Sequence, residues 1–410
     1  MSHLDDPGLE DLPREGVGVE VAKRRKALNW TQRKLAEEAV VSLSLVKKVE
    51  IGQAPPSPAF IAAVSRALGT GAAELMSLPR RPEGRTGYHS HSGIGPLRRE
   101  LAGYKQDAGD VSQLDALPIL AARVSHVSNL RHATTFDQLG SQLPGLLYAL
   151  RLKWQRSEGA ELERTFGLLA EAYYAASQYA YKLGYVDLSS LAVDRYEWAA
   201  AQSGDQLAVL VGDYQRAGEL IATADWDAAL TLLETSRGNI EGQLGGADPA
   251  ILAVWGNLHL KSGLAAARAG NQVLADEHLT EARETAQRIG ADRDDYRLCF
   301  GPTNVGIWSV GLAVELCNGA EAVRRSVNFR IPDGTPRERA GHYYIDLARG
   351  FLYNGDRKKS LAALDRARKI SPEQTRHHPM VHETVRTLLG QQVRSVDTVA
   401  GFAAWAGVRH

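Results

Sequence analysis

Between Val21 and Gly52 the apolar positions fall in three short bursts at helical spacing. Val21, Ala22 and Leu28 give a first helix its inward face, Leu35, Ala36 and Ala39 a second, and Val46 and Val49 a third. Polar residues punctuate the bursts. Thr31 and Ser42 precede the second and third helices, where a side-chain oxygen accepts a hydrogen bond from a backbone N–H two or three residues on, and Gly52 closes the third. Opposite Val46 and Val49, this pattern leaves Leu43, Ser44, Lys47 and Lys48 free to meet a groove. Residues 58–68 and 71–78 read as two more short helices.

From Ala116 onward strand signals are nearly absent and the 3.6-residue period dominates. Turn-like pairs recur at Leu183-Gly184, Ala224-Asp225, Gly270-Asn271, Asn318-Gly319 and Gly355-Asp356. Intervals of roughly 36 to 49 residues suit antiparallel helix pairs stacked as a solenoid. Small residues recur where paired helices must approach, as at Gly263, Ala275 and Ala282, or Ala348 and Ala367. The expected fold class is therefore all-α. Residues 1–16 read as a disordered or extended arm, 17–78 as a helical head, 79–115 as a linker with a short helical piece, and 116–410 as a helical-repeat domain. The linker assignment rests on the Gly-, Pro- and Arg-rich run after Pro79. Its richness in Gly and Pro argues for a loosely tethered head.

Composition narrows the function. Lys and Arg number 48, as do Asp and Glu, so a bulk basic field is excluded and any affinity for DNA must come from local clusters. One such cluster is Lys23 to Lys26, with Arg24 a candidate phosphate contact. The two cysteines, Cys299 and Cys317, have no metal-ligand spacing and make no disulfide framework. His89 and His91 stand in the glycine- and serine-rich linker, where histidines are usually solvated, and no metal is expected. The first twenty residues lack the basic start and apolar run of a signal peptide, and no later stretch reaches membrane-span length. No nucleophile elbow, phosphate loop or dinucleotide fingerprint is apparent, which points away from an enzyme and from cofactors.

The order TQ, LA, turn, S, apolar residue, E and G in residues 17–78 resembles the XRE-type (Cro-like) helix-turn-helix domain. The resemblance implies a five-helix head in which Gln32 meets a phosphate and Ser42, Leu43, Ser44, Lys47 and Lys48 form the reading surface; Thr31, beside Gln32, is a further DNA-binding candidate. It also implies an ion pair between Arg25 and Glu50. One departure is the turn AVVS, where such domains usually place a glycine; Val40 suits positive φ poorly, so a wider turn is expected. The helix pairs resemble tetratricopeptide repeats, with YYIDLARGFLYNGDRKKSLAALDRARKISPE the best match. The combination is similar to peptide-sensing quorum regulators of Gram-positive bacteria and to a broad set of actinobacterial regulators.

A curved stack of helix pairs forms a groove that can hold a ligand. Candidate ligand contacts are Asn257, Arg297, Thr303, Asn304, Arg349 and Tyr353. Pro302 should start a helix whose free N–H groups, with Thr303 and Asn304, hold an anionic or carbonyl group or are simply capped by those side chains. The expectation is a cytoplasmic transcriptional regulator that binds a two-fold site in double-stranded DNA as a homodimer and responds to a small molecule or peptide. A scaffold whose repeats dock another regulatory protein is the alternative.

Overall fold

The computed structural model describes residues 16–76, 90–106, 114–245, 248–390 and 397–408. The N-terminal arm and the 79–89 part of the expected linker, with His89, lie outside them. Among the described residues the only extended pairing is an isolated bridge between Arg293 and Phe300, and everything else regular is helical.

The head contains α1 (Val17–Ala27), α2 (Gln32–Glu38), α3 (Leu43–Glu50), α4 (Pro58–Ala67) and α5 (Ala72–Leu75). Val21, Leu35, Ala36, Ala39, Val46 and Val49 lie in its core, as the periodicity predicts, joined by Val17, Phe60, Ile61 and Val64, while Leu28 falls beyond the end of α1 and is half exposed. Thr31 and Ser42 act as N-caps: their hydroxyls accept from the backbone N–H of Lys34 and Leu45, each at 3.1 Å. The turn between α2 and α3 is not widened. Val40 adopts φ 53°, and the backbone N–H of Val41 donates to the carbonyl of Ala36 at 2.9 Å. The valine side chain is 84% exposed and gains nothing there from packing.

The larger region opens with α6 (Ile94–Ala102), the short piece expected within the linker. Far from being loose, α6 buries Ile94, Leu97 and Leu101 in the main core. His91 just before it is not solvated either: its Nδ1 lies 3.0 Å from the Tyr185 hydroxyl and its ring meets His377 edge-on. There follow α7 (Leu117–Ala133), α8 (Phe136–Trp154), α9 (Gly159–Lys182), α10 (Val186–Gln202), α11 (Gln206–Ala222), α12 (Trp226–Gly238), α13 (Pro249–Arg268), α14 (Gln272–Ile289), α15 (Pro302–Glu315) and α16 (Gly319–Ser326). The order ends with α17 (Arg337–Tyr353), α18 (Arg357–Ile370), α19 (Pro372–His377), α20 (Pro379–Gly390) and α21 (Asp397–Ala406). All five turn-like pairs in the sequence fall at the turn of a hairpin, Gly319 as the first residue of the second helix.

The stack closes on itself. Helix α11 packs on α13, α13 on α15 and α15 on α17, and α17 returns to α7, which lies against α9. The remaining link joins α9 to α11, where Ser177 Oγ donates to Gln215 Oε1 at 3.2 Å. The closing contact is ionic: Glu338 of α17 accepts from Arg131 of α7 at 2.7 Å and pairs with Lys182 of α9 at 3.1 Å. Arg131 is fully buried, lies over the Tyr174 ring and also donates to the carbonyl of Arg297.

The head sits on this ring. Met380 of α20 enters the head core beside Val17 and Val21. The backbone N–H of Val17 bonds the Glu383 carboxylate, Arg66 donates to the carbonyl of Ala224 at 3.0 Å, and the Cys317 thiol group is hydrogen-bonded to Ser57. Contacts through the start of α1, the Arg66 side chain of α4 and the cap of α4 seat the head where the linker composition predicts a loose tether.

Candidate nucleic-acid interface and the inner ring

On the head, α3 is held at a fixed angle by the pair foreseen in the sequence. Arg25 grips Glu50 with two parallel bonds, Nε to Oε1 at 2.7 Å and Nη2 to Oε2 at 2.8 Å, and its Nη1 donates to the carbonyl of Trp30 at 2.6 Å. Burial alone would raise the Glu50 pKa, but the hydrogen bonds from Arg25 and Gln32 hold the carboxyl below its usual range. Gly18 lets α1 cross α3 closely, since a Cβ there would run into the carbonyl of Val49. The outward face of α3 presents Ser44, Lys47 and Lys48, all exposed, with Leu43 partly packed against the head core.

The remaining candidate DNA contacts stand as follows. Thr31 is exposed at the start of α2. Gln32 donates one amide hydrogen to Glu50 at 2.7 Å, which leaves the second for a phosphate. Arg24 is committed within the head, bonding Glu20, Thr70 and Glu74 at 2.8 to 3.0 Å. Docking engages Val17, Ser57 and Arg66 and leaves the α3 face uncovered.

In the helical region, Asn257, Asn304, Arg349 and Tyr353 lie on the ring helices α13, α15 and α17, whereas Arg297 and Thr303 lie on or beside the 291–301 connection. The connection is strained: Tyr296, Arg297 and Cys299 all have φ between 52° and 60°. Arg297 binds Glu171 at 2.8 Å. The N–H groups opening α15 are not free as expected, because Asp292 Oδ1 accepts from the Thr303 N–H at 3.0 Å. Asn304 is not a cap: its amide donates to the carbonyl of Cys299 and its oxygen accepts from Arg339 Nε at 2.9 Å. Arg349, expected to reach a ligand, is instead buried in a clamp with Glu315 at 2.8 Å and Asp346 at 3.0 Å. Arg268 adds a third arm to Glu315 at 2.9 Å. Burial opposes the Glu315 charge, yet the two arginines hold its pKa at about 2.

Sequence reading missed Lys261, Arg339, Tyr214 and His342. The signal was available: Asn257, Lys261 and Arg268 share one stripe of α13 at helical spacing. The spacing also missed a cluster of His132 Nε2, an Asp294 oxygen and Cys299 Sγ within 4.8 Å of one another. That imidazole nitrogen already meets Asp294 at 3.1 Å and the Arg131 guanidinium at 3.0 Å, so a permanent cation stands where a metal would approach. Burial and the neighbouring Asp294 push the Cys299 thiol up, keeping it protonated. At the junction of α19 and α20 the histidine pair His377-His378 packs, with His378 Nδ1 accepting from the Met380 N–H.

The fold and the exposed α3 face define a head of the helix-turn-helix, DNA-binding class. Residues 21–75 match the family model described as helix-turn-helix, HTH_3, and the head is an XRE-type domain of that kind. The crystal structure of Bacillus thuringiensis PlcR in complex with the peptide PapR7 and DNA is similar over 68% of this chain and 96% of that one, at 13% identity and a TM-score of 0.28. No curated protein matches the chain. No helix among the described residues is long and apolar enough to cross a membrane.

Proposed function

We propose that the chain is a sequence-specific transcriptional regulator of the cytoplasm, whose head reads DNA with α3 and whose helical ring dimerises and receives a small-molecule or peptide signal. The functional units are the head, 17–78, and the ring, 116–410, with α6 belonging to the ring. The observation that carries this reading is the exposed Ser44, Lys47 and Lys48 face on a helix locked by Arg25 and Glu50. Thr31, Gln32, Ser42 and Leu43 flank that face. One recognition helix reads one half-site, so a dimer supplies two, placed about 34 Å apart or a multiple of that.

The docked head changes how a signal would travel. A ligand inside the ring shifts the equilibrium between ring shapes by its difference in affinity for them. The turns carrying Ala224 and Cys317, and α20 with Met380 and Glu383, transmit that shape to the head directly. The test is selection of a random duplex library by the full chain and by a Lys47→Glu, Lys48→Glu variant. Enrichment of a two-fold motif by the wild type alone is expected, with the slope of log affinity against log salt smaller by about 2 in the variant on any shared sequence. Failure of both folded proteins to enrich any sequence would overturn DNA reading.

A further inference from the structure

The inner face of the ring carries more positive charge than its carboxylates neutralise. Four of the ring helices carry the relevant stripes, and α9 adds Lys182. From α13 come Asn257, Lys261 and Arg268; from α11, Tyr214; from α15, Asn304, Trp308 and Glu315; from α17, Arg339, His342, Asp346 and Arg349. Arg268 and Arg349 share Glu315, and Lys182 is held by Glu338. Among the described residues, Lys261 and Arg339 have no carboxylate within ion-pair distance. Lys261 Nζ sits 4.0 Å from the centre of the Tyr214 ring, and Arg339 bonds the neutral Asn304 amide while lying 5.8 Å from the Trp308 ring.

A cation kept partly away from water without a counter-charge is costly. The cost shows in Lys261, whose pKa is pulled down to about 7 by burial, with the positive charges of Arg268 and Arg339 adding to it and the more distant Glu219 carboxylate of α11 opposing it only in part. The same stripe holds a second unmet group: Asn257, one turn from Lys261, is 2% exposed, and its Oδ1 has no hydrogen-bond partner among the described residues. Two cations flanked by aromatic faces, with a spare amide oxygen beside them, suit a ligand that brings negative charge, a donor and an apolar body.

We infer that the inner ring is a binding site for an amphipathic organic anion, its carboxylate, sulfonate or phosphate group held between Lys261 and Arg339 and its body against Tyr214 and Trp308. The inference rests on the sensor reading above and gives it a ligand class. Binding restores a full charge to Lys261, so it takes up a proton near neutral pH.

The test compares two probes with one aromatic body, the anion 8-anilinonaphthalene-1-sulfonate and the neutral N-phenyl-1-naphthylamine, by calorimetry and fluorescence on the full chain. The sulfonate should bind once per chain, at least tenfold more tightly than the neutral probe. Proton uptake at pH 7.5 should appear as a heat that depends on the buffer. Lys261→Met and Arg339→Gln should each weaken sulfonate binding at least tenfold, and Arg98→Gln, at an exposed ion pair with Asp187, should leave it unchanged. Circular dichroism confirms that each variant is folded, and if one is not, the comparison of the charged and neutral probes on the wild type decides. Equal binding of both probes, or sulfonate binding that survives Lys261→Met and Arg339→Gln, overturns the anion site while leaving a ligand-binding ring. No saturable binding of either probe overturns both.

Discussion

Val40 shows how a single position can depart from its family's habit without changing the geometry. A β-branched residue at φ 53° costs about 1–2 kcal/mol, and a surface glycine returns roughly half of that gain to the unfolded chain. Val40→Gly should therefore stabilise the head by about 0.5–1 kcal/mol, read as a higher denaturant midpoint; an unchanged or lower midpoint would show that the strain is relieved elsewhere. Arg25 makes the opposite case. Arg25→Ala leaves Glu50 buried with only Gln32 as partner and should cost about 3 kcal/mol. Arg25 and Glu50 could be paired from the amino-acid sequence because their family pattern fixes both positions. The role of Lys261 could not, because its meaning depends on which helices face it across the ring.

At the scale of elements, the helix-turn spacing carried most of the fold. The turn-like pairs at Gly184, Ala224, Gly270 and Gly355 each mark a hairpin because a left-handed residue is needed to reverse a helix; at the Asn318 turn that residue is the preceding Cys317. Packing between distant helices was not legible: α6 looked like linker because Gly- and Pro-rich segments flank it, yet its apolar face is core. The clamp joining α13, α15 and α17 gives a pH test. Glu315 has a folded pKa of about 2 against an ordinary 4.5, so its contribution is fully present above pH 4.5 and is lost as pH falls toward 2. Glu315→Gln should lower stability at pH 6 and flatten the acid limb between those values, as followed by thermal melting. An acid limb identical to wild type would assign the loss to other carboxylates.

For the whole molecule, the decisive arrangement is the seating of the head on the ring. Met380 is the apolar peg of that contact. Met380→Glu should release the head and enlarge the radius of gyration in solution scattering, with the ring's helical content unchanged; an unaltered radius would mean that the polar contacts at Arg66 and Ser57 suffice. If the docked head sets operator spacing, the released variant should also lose its preference among half-site separations while keeping its half-site sequence. That outcome separates recognition, which belongs to α3, from measurement of distance, which belongs to the ring.

The bond from Arg131 to Glu338 joins residues 207 positions apart. An open array of repeats can nucleate anywhere and grow by nearest-neighbour steps, losing end units one at a time. A closed one cannot, because its first and last rungs are neighbours and the entropy of drawing them together is met before their contact contributes anything. The chain should accordingly fold slowly and melt as a unit. Excising any single hairpin should open the circle and scatter the cations gathered within it, so the gain or loss of one repeat, tolerated in linear solenoids, becomes here an all-or-none event.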